Sequence, residues 1–274
     1  MEILGKDIST VIENLKEGRK EPFIASFYQK LYSLKGHEYT PIWEKDWDTL
    51  LIIDACTAEL AEEEFTEEKY KVSTNTAPGS SSREWAEHFS EAEDLEDIIY
   101  ISANPHISNQ KIEEFAGKNP FFMIYDVWKT DWNEEKHTVP AEAVNEKFRE
   151  VKEIYPDKKF ILHYMQPHHP FIGEKQLEDT SFVFPGQAED IDREDMVWER
   201  LKKGEIDEQE FRDAYRSNLI YVKQKIEKLP ELEGKTIITA DHGNIFGKRG
   251  MYAHPPGVYF DQLVEVPWIE VNKE

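Results

Sequence analysis

The chain has 274 residues, 39% of them hydrophobic and 12% aromatic, which is enough to build the core of one α/β domain. Its 56 acidic and 33 basic residues give a formal charge of -23, which argues against nucleic acids and anionic membranes as partners. The single cysteine, Cys56, excludes an internal disulfide. Because the N-terminus has no basic, apolar leader and no apolar run reaches about 20 residues, the sequence predicts a cytoplasmic protein without a membrane segment.

Residues 1–46 are predicted to form an N-terminal helical extension. Within it, residues 6–35 have a helical period and divide into two short helices. The apolar stripe of the first helix comprises Ile8, Val11, Ile12 and Leu15, and that of the second comprises Phe23, Phe27, Leu31 and Leu34. We therefore expect a pair of helices ahead of the first strand.

Apolar strands alternate with helical segments along the rest of the chain. The predicted strands are residues 49–54, 97–102, 121–125, 159–164, 236–240 and 264–271. The predicted helices are residues 57–65, 83–89, 107–117, 139–154 and 205–228, and a turn-rich loop is predicted over 73–82. Such alternation is typical of a mostly parallel central sheet with helices on both faces, so we predict a single α/β domain over 1–274. Pro267 favours an edge or an irregular end for the last strand, and the acidic residues 173–205 are predicted to form a flap.

Two predicted strands end in residues that bind metals. Asp54 directly follows an apolar run, and Asp241-His242-Gly243 follows another. Because open α/β sheets build their ligand sites at the carboxyl ends of the strands, the pattern predicts a divalent metal held by Asp54, Asp241 and His242. Carboxylate and imidazole ligands favour zinc or manganese over magnesium or calcium. The alternative for Asp54 is a helix cap for the segment that follows it.

The stretch Ala77-Pro-Gly-Ser-Ser-Ser-Arg-Glu-Trp85 places hydroxyl groups at the start of a predicted helix. A hydroxyl bound to a divalent ion loses its proton more readily and becomes a nucleophile. Simple helix capping is the alternative, since Ser80, Ser81 and Ser82 are all good capping residues.

Histidines are concentrated in the segment from His163 to Phe171, after a predicted strand. His168 lies between Pro167 and Pro170, and it is predicted to contact a substrate phosphate or to act as a general acid. His163 is predicted to be a core residue. His254, His169 and Lys248 are candidates for a second metal site or for binding an anionic substrate. Exposed lysines are more often simply solvated.

These motifs resemble those of the alkaline phosphatase superfamily, and within it those of the sulfatase-like branch. They occur in that family's order from residue 50 to residue 268. The matching segments are Ile53-Asp54, Ala77-Pro-Gly-Ser80, Gln166-Pro-His-His-Pro170, Thr239-Ala-Asp-His-Gly243, Ala253-His-Pro255 and Val266-Pro-Trp268.

The resemblance implies that Asp54, Asp241 and His242 hold one metal together with a nucleophile. Ser80 is the first choice for that nucleophile, and the spacing also permits Ser81 or Ser82. His168 and His254 would contact the phosphate or sulfate, or bind a second metal. The acid for a second metal is open among Asp126, Asp190 and Asp213.

The sequence departs from sulfatases that convert a cysteine to formylglycine. Leu60 stands where their motif needs arginine, and Cys56 follows Asp54 instead of lying in the nucleophile loop. We therefore predict a metal-dependent hydrolase or transferase of small phosphate esters that forms a covalent phospho-enzyme. A sulfatase, a phosphomutase and a catalytically silent binding protein are the alternatives.

Overall fold

The computed structural model describes residues 20–92, 94–177, 196–229 and 232–272, and the backbone of residues 2–3 and 6–7. The strands are β1 (Glu2–Ile3), β2 (Lys6–Asp7), β3 (Thr49–Asp54), β4 (Tyr70–Thr76), β5 (Leu95–Ser102), β6 (Phe121–Asp126), β7 (Lys159–Pro167), β8 (Thr236–Thr239), β9 (Ile245–Lys248), β10 (Met251–Ala253) and β11 (Glu265–Val271). The helices are α1 (Glu21–Lys35), α2 (Ala58–Glu64), α3 (Ser82–His88), α4 (Asn109–Ala116), α5 (Val127–Thr130), α6 (Ala141–Ile154), α7 (Val197–Lys203), α8 (Glu208–Ile226) and α9 (Asp261–Val264).

The central sheet has the strand order β4-β11-β8-β3-β7-β5-β6. The strands from β8 to β6 are mutually parallel, and β11 is antiparallel to both of its neighbours. Two short antiparallel pairs, β1 with β2 and β9 with β10, lie outside this sheet. The predicted mostly parallel α/β sheet is confirmed.

Alternate residues of the central strands face opposite layers of the core. Leu51 and Ile53 of β3 belong to a cluster with residues of α2, α6 and α8, such as Phe148. Leu50 and Ile52 belong to a second cluster, with residues of α3 and α4. Because side chains alternate along a strand, a continuous apolar run such as Leu50–Ile53 is what a sheet covered on both faces requires.

The N-terminal helical pair is described only in its second member, α1. Its packed residues are Ile24, Ala25, Tyr28 and Tyr32, which lie against a small core cluster that includes Phe260. Phe27 and Leu34 of the predicted stripe are 57% and 77% exposed, so the predicted face is wrong. The first helix was predicted to begin at residue 6, but Lys6–Asp7 is a strand, and residues 8–19 lie outside the described residues.

Three further predictions concern the loop over 73–82, the last strand and the flap, and the structure tests the first two. The predicted loop over 73–82 begins only at Ala77, because β4 extends to Thr76. β11 is not an edge strand, yet Pro267 pairs only with Thr74 of β4, since pairing with β8 begins at the next residue. Most of the predicted flap, residues 178–195, lies outside the described residues.

Candidate metal centre

The carboxyl-terminal edge of the parallel strands gathers polar residues from four of them. Asp54 ends β3, Asp241 follows β8 by two residues, Asn104 follows β5 by two residues, and His163 lies in β7. All four are buried. This edge is where open α/β sheets place their ligand sites.

A left-handed residue at the end of β3 joins the two acids. Ala55 has φ +57°, a conformation that residues other than glycine rarely adopt. Its N–H donates to Asp241 Oδ1 at 3.0 Å, and the His242 N–H donates to the same oxygen at 3.0 Å. Tyr215 of α8 donates to the Ala55 carbonyl at 2.5 Å, which holds the turn in place.

Asp54 does not cap the helix that follows it. Thr57 is the cap of α2, and its hydroxyl accepts the Leu60 N–H at 3.3 Å. Asp54 Oδ2 instead accepts a hydrogen bond from Asn104 Nδ2 at 2.5 Å. The capping alternative is therefore excluded, and the carboxylate faces the cluster of polar residues.

Ser82 brings a hydroxyl group to the acids. It is the first residue of α3, after the cap Ser81. Its Oγ lies 2.7 Å from Asp241 Oδ2, 3.3 Å from His242 Nε2 and 3.5 Å from Asp54 Oδ2. Asn104 Nδ2 donates to the same hydroxyl at 2.9 Å. One serine thus meets all three residues that the sequence predicted to bind a metal.

Ser80, the first choice from the sequence, is turned away from the acids. Its Oγ lies 2.9 Å from Glu84 Oε2 and 2.9 Å from the Pro255 carbonyl. Ser81 Oγ donates to Glu84 Oε2 as well, at 3.1 Å. Because α3 begins at Ser82, the two preceding serines belong to a differently oriented loop, and Ser82 occupies the position predicted for Ser80.

His242 presents Nε2 to the acids. Its Nδ1 lies 2.9 Å from the Gly243 carbonyl, which only accepts hydrogen bonds, so Nδ1 carries the hydrogen. In the neutral ring Nε2 then has the lone pair, and it lies 3.5 Å from Asp241 Oδ2 and 3.8 Å from Asp54 Oδ1. A backbone carbonyl that fixes the tautomer in this way is the usual support of a metal-binding imidazole.

His163, which the sequence analysis assigned to the core, also faces the acids. Its Nδ1 lies 2.8 Å from the hydroxyl of Tyr100, which accepts the Trp85 indole N–H at 3.1 Å. Burial raises the pKa of Tyr100 well above its usual range, so the hydroxyl keeps its proton and donates it to Nδ1. In this arrangement His163 Nε2 carries a hydrogen, 3.6 Å from Asp54 Oδ2 and 3.8 Å from Asp241 Oδ2.

The donor set fits a cation. A carboxylate oxygen of Asp54, a carboxylate oxygen of Asp241 and a ring nitrogen of His163 lie within 4.8 Å of one another. Burial acts to raise the pKa of Asp54, but His163, His168 and His242 together lower it below its usual range, so the carboxylate stays ionised. Its Oδ1 has no hydrogen-bond partner among the described residues. Because a buried ionised oxygen needs compensation, this group can hold a metal ion.

His168 and His254 extend the cluster beyond His242. The His254 ring lies 4.4 Å from that of His242 and 5.3 Å from that of His168. Asn244 Nδ2 donates to the Ala55 carbonyl at 3.0 Å, which turns Asn244 Oδ1 toward His254 Nδ1, 3.0 Å away. His254 Nδ1 therefore carries the hydrogen, and its Nε2 has the lone pair.

His168 has the same tautomer as His254. Its Nδ1 lies 2.5 Å from the carbonyl of His169, so Nδ1 carries the hydrogen. Burial, reinforced by His169, lowers the pKa of His168 to about 4, so the ring is neutral at pH 7. A neutral imidazole with an Nε2 lone pair is suited to binding a metal or to accepting a proton.

The remaining candidates occupy other positions. His169 is buried and stacks on His168 with ring centroids 4.4 Å apart. Lys248 contacts Gln262 and lies 4.9 Å above the Phe260 ring. Asp126 pairs with Lys129 and Asp213 pairs with Lys175, and neither belongs to the described metal-binding group; Asp190 lies outside the described residues.

Asn104 was missed by the sequence analysis, although a signal was present. It follows the apolar strand β5, so it stands at a strand's carboxyl end as Asp54 does. His163 of β7 pairs with Ile52 of β3 in the sheet register, and Ile52 lies two residues before Asp54. A prediction that treated every polar residue at a strand's carboxyl end as a candidate would have included both.

No protein-family model matches the sequence, and no curated protein is significantly similar to it. Solved structures are similar in fold. The integral membrane protein lipooligosaccharide phosphoethanolamine transferase A from Neisseria meningitidis is 16% identical with a TM-score of 0.57, and the match covers 91% of this chain and 54% of that one. The soluble domain of that enzyme is 15% identical with a TM-score of 0.54, covering 81% and 75%. This chain therefore spans about half the length of the whole membrane protein.

The chain has the alkaline phosphatase fold. The similarity to these structures confirms, for the fold, the resemblance that the motifs indicate. A third neighbour, the C-terminal periplasmic domain of phosphoethanolamine transferase EptC from Campylobacter jejuni, is 13% identical with a TM-score of 0.44, covering 82% of this chain and 79% of that one.

The predicted cytoplasmic location is wrong by this comparison, because a protein that shares this fold is an integral membrane protein. That prediction depended on the single cysteine and on the N-terminal residues, and neither feature determines the compartment. Among the described helices, none combines the length and the apolar composition of a transmembrane segment.

Proposed function

We propose that the protein is a metal-dependent enzyme that hydrolyses or transfers a phosphate ester, with Ser82 as its nucleophile. The observation that carries this proposal is the Ser82 hydroxyl 2.7 Å from Asp241 Oδ2, within a buried cluster of acids and histidines. The fold adds support, because two proteins with this fold are named as phosphoethanolamine transferases, and phosphoethanolamine is a phosphate ester.

Asp54, Asp241 and His242 are the proposed metal ligands, with Ser82 beside them. The tautomers of the neutral rings distinguish the two histidines, since Nε2 has the lone pair in His242 and the hydrogen in His163. The His163 N–H would then lie 3.6 Å from Asp54 Oδ2, where it favours the negative charge of the carboxylate without a hydrogen bond. Mixed carboxylate and imidazole ligands favour zinc or manganese over magnesium or calcium, which prefer oxygen alone.

A bound divalent ion supplies Lewis acidity and lowers the pKa of a hydroxyl in contact with it. Asn104 and Asp241 fix the Ser82 hydroxyl between a donor and an acceptor, which orients its lone pair. In the proposed reaction Ser82 Oγ attacks phosphorus, the bond from phosphorus to the alcohol oxygen breaks, and the alcohol leaves with a proton. Water or an acceptor alcohol then attacks the phosphoserine and restores Ser82.

Phosphate is favoured over sulfate because no cysteine that could be converted to formylglycine stands at the position of Ser82. Cys56 is fully buried, and its sulfur lies 3.6 Å from the Thr57 carbonyl. Burial, with a smaller effect of Asp241, raises the pKa of its thiol, which disfavours the reactive thiolate. The small substrate proposed is therefore a phosphate monoester or diester.

The test is metal analysis of the purified protein followed by turnover of aryl phosphates and aryl sulfates. We expect at least one tightly held equivalent of zinc or manganese per chain. We also expect phosphate turnover that a chelator abolishes and the metal restores. Phosphate release in labelled water, with label in the product, would separate hydrolysis from a phosphomutase reaction. A metal-loaded protein without activity on either ester class would instead favour the catalytically silent binding protein.

A further inference from the structure

Glu84 contacts the loop that leads into Ser82. It lies in the first turn of α3, two residues after Ser82. Its Oε2 accepts the Ser80 N–H at 3.0 Å and lies 2.9 Å from Ser80 Oγ and 3.1 Å from Ser81 Oγ. The backbone of Gly79 passes so close that a Cβ there would lie 2.2 Å from Glu84 Cβ. The carboxylate therefore fixes the conformation of this loop.

The same carboxylate contacts the loop that follows His254. The Gly257 N–H donates to both of its oxygens, at 3.1 and 3.2 Å. The Tyr259 hydroxyl donates to Oε1 at 2.9 Å. Burial and the neighbouring Glu84 raise the pKa of Tyr259, so this hydroxyl keeps its proton.

Every described hydrogen-bond partner of the Glu84 side chain is a donor. Hydrogen bonds from N–H and O–H groups to an ionised carboxylate are shorter and about twice as strong as those between neutral groups. An amide at this position would turn its NH₂ group toward some of these donors. The site is therefore specific for a carboxylate.

The two loops carry groups that meet on His242. Ser82 Oγ lies 3.3 Å from His242 Nε2, and the His254 ring lies 4.4 Å from the His242 ring. We propose that Glu84 is a positioning residue, which joins the two loops and so sets the placement of Ser82 relative to His254. This inference rests on the proposed function of Ser82.

The test compares Glu84→Gln with Glu87→Gln, a matched control on the same helix. Glu87 pairs with Arg83 at 2.7 Å, and it has no described hydrogen bond or ion pair to the loop after His254. For Glu84→Gln we expect kcat on an aryl phosphate to fall by about tenfold or more, the effect of losing about 1.4 kcal/mol of stabilisation, with KM and metal content near wild type. Glu87→Gln is expected to retain wild-type kcat.

A gentler variant covers the case in which Glu84→Gln fails to fold. Tyr259→Phe removes one donor and keeps the ring stacked on His37, 4.3 Å away, and we expect a severalfold loss of kcat at unchanged KM. Wild-type kcat in folded Glu84→Gln or in Tyr259→Phe would overturn the positioning role. A loss of kcat that is fully explained by the fraction of unfolded protein in the sample would overturn it as well. Absence of turnover in the wild type, or full turnover in Ser82→Ala, would overturn the proposed function instead.

Discussion

Ser82 Oγ and Asp241 Oδ2 lie 2.7 Å apart although 159 positions separate the two residues in the chain. The central sheet explains how they meet. β4 leads toward Ser82, β8 leads to Asp241, and both are antiparallel to β11, which lies between them. Because β4 and β8 therefore run in the same direction, both deliver their following residues to the same edge of the sheet.

Replacement of Ser82 by alanine tests this contact. We expect Ser82→Ala to lower kcat on aryl phosphates by roughly a thousandfold or more, since the nucleophile is lost, while the fold is retained. Ser33→Ala is the control, because Ser33 is exposed on α1 and bonds only locally, to the Lys30 carbonyl. The measurement is single-turnover phosphate release with a search for phosphoserine by mass spectrometry. Label on a serine other than Ser82 would reassign the nucleophile.

The tautomers of His242 and His163 predict different consequences for metal binding. His242→Ala removes a proposed ligand, so metal affinity should fall by more than about 100-fold. His163→Gln keeps a polar N–H group near the carboxylates and removes no proposed ligand, so the loss should be about tenfold or smaller. Competition with a chromogenic chelator measures both affinities. Equal, severe losses in the two variants would show that His163 is a ligand and that its hydrogen lies on Nδ1.

The strands that carry the acids were predictable because they are buried on both faces. Thr49–Asp54 is a continuous apolar run that ends in a carboxylate, and no other element type accommodates that pattern as well. β4 was missed because its sequence, Tyr70-Lys-Val-Ser-Thr-Asn-Thr76, is polar and largely exposed. It is an edge strand, defined by its pairing with β11 and not by its own composition.

The choice among three adjacent serines depended on a boundary that the sequence leaves open. Ser80, Ser81 and Ser82 are all good helix caps, and each choice of cap directs a different hydroxyl to the acids. In the structure Ser81 is the cap, and Glu84 holds Ser80 in the preceding loop. The distant partners of Glu84 are Gly257 and Tyr259, more than 170 positions away, which local patterns do not reveal.

Stability below neutral pH should depend on His88. This ring is buried and stacks on Trp43, and burial, opposed by Glu91, lowers its pKa from 6.5 to about 4. Between these values the unfolded chain binds more protons at this site than the folded chain. The free energy of unfolding should therefore fall as the pH drops from 6.5 to 4, by up to about 3 kcal/mol. Urea unfolding of the wild type and of His88→Phe across this range isolates the effect. Parallel pH profiles for the two proteins would rule it out.

The corrected orientation of α1 predicts which of its residues stabilise the fold. Tyr28 packs edge-on against Phe260, with ring centroids 4.7 Å apart, whereas Leu34 is 77% exposed. Tyr28→Ala should lower the free energy of unfolding by about 2 kcal/mol, because a half-buried ring and its aromatic contact are lost. Leu34→Ala should change it by less than about 0.5 kcal/mol. Denaturant unfolding at equal protein concentration compares the two. A larger loss for Leu34→Ala than for Tyr28→Ala would restore the face that the sequence predicted, since only a packed leucine side chain is costly to remove.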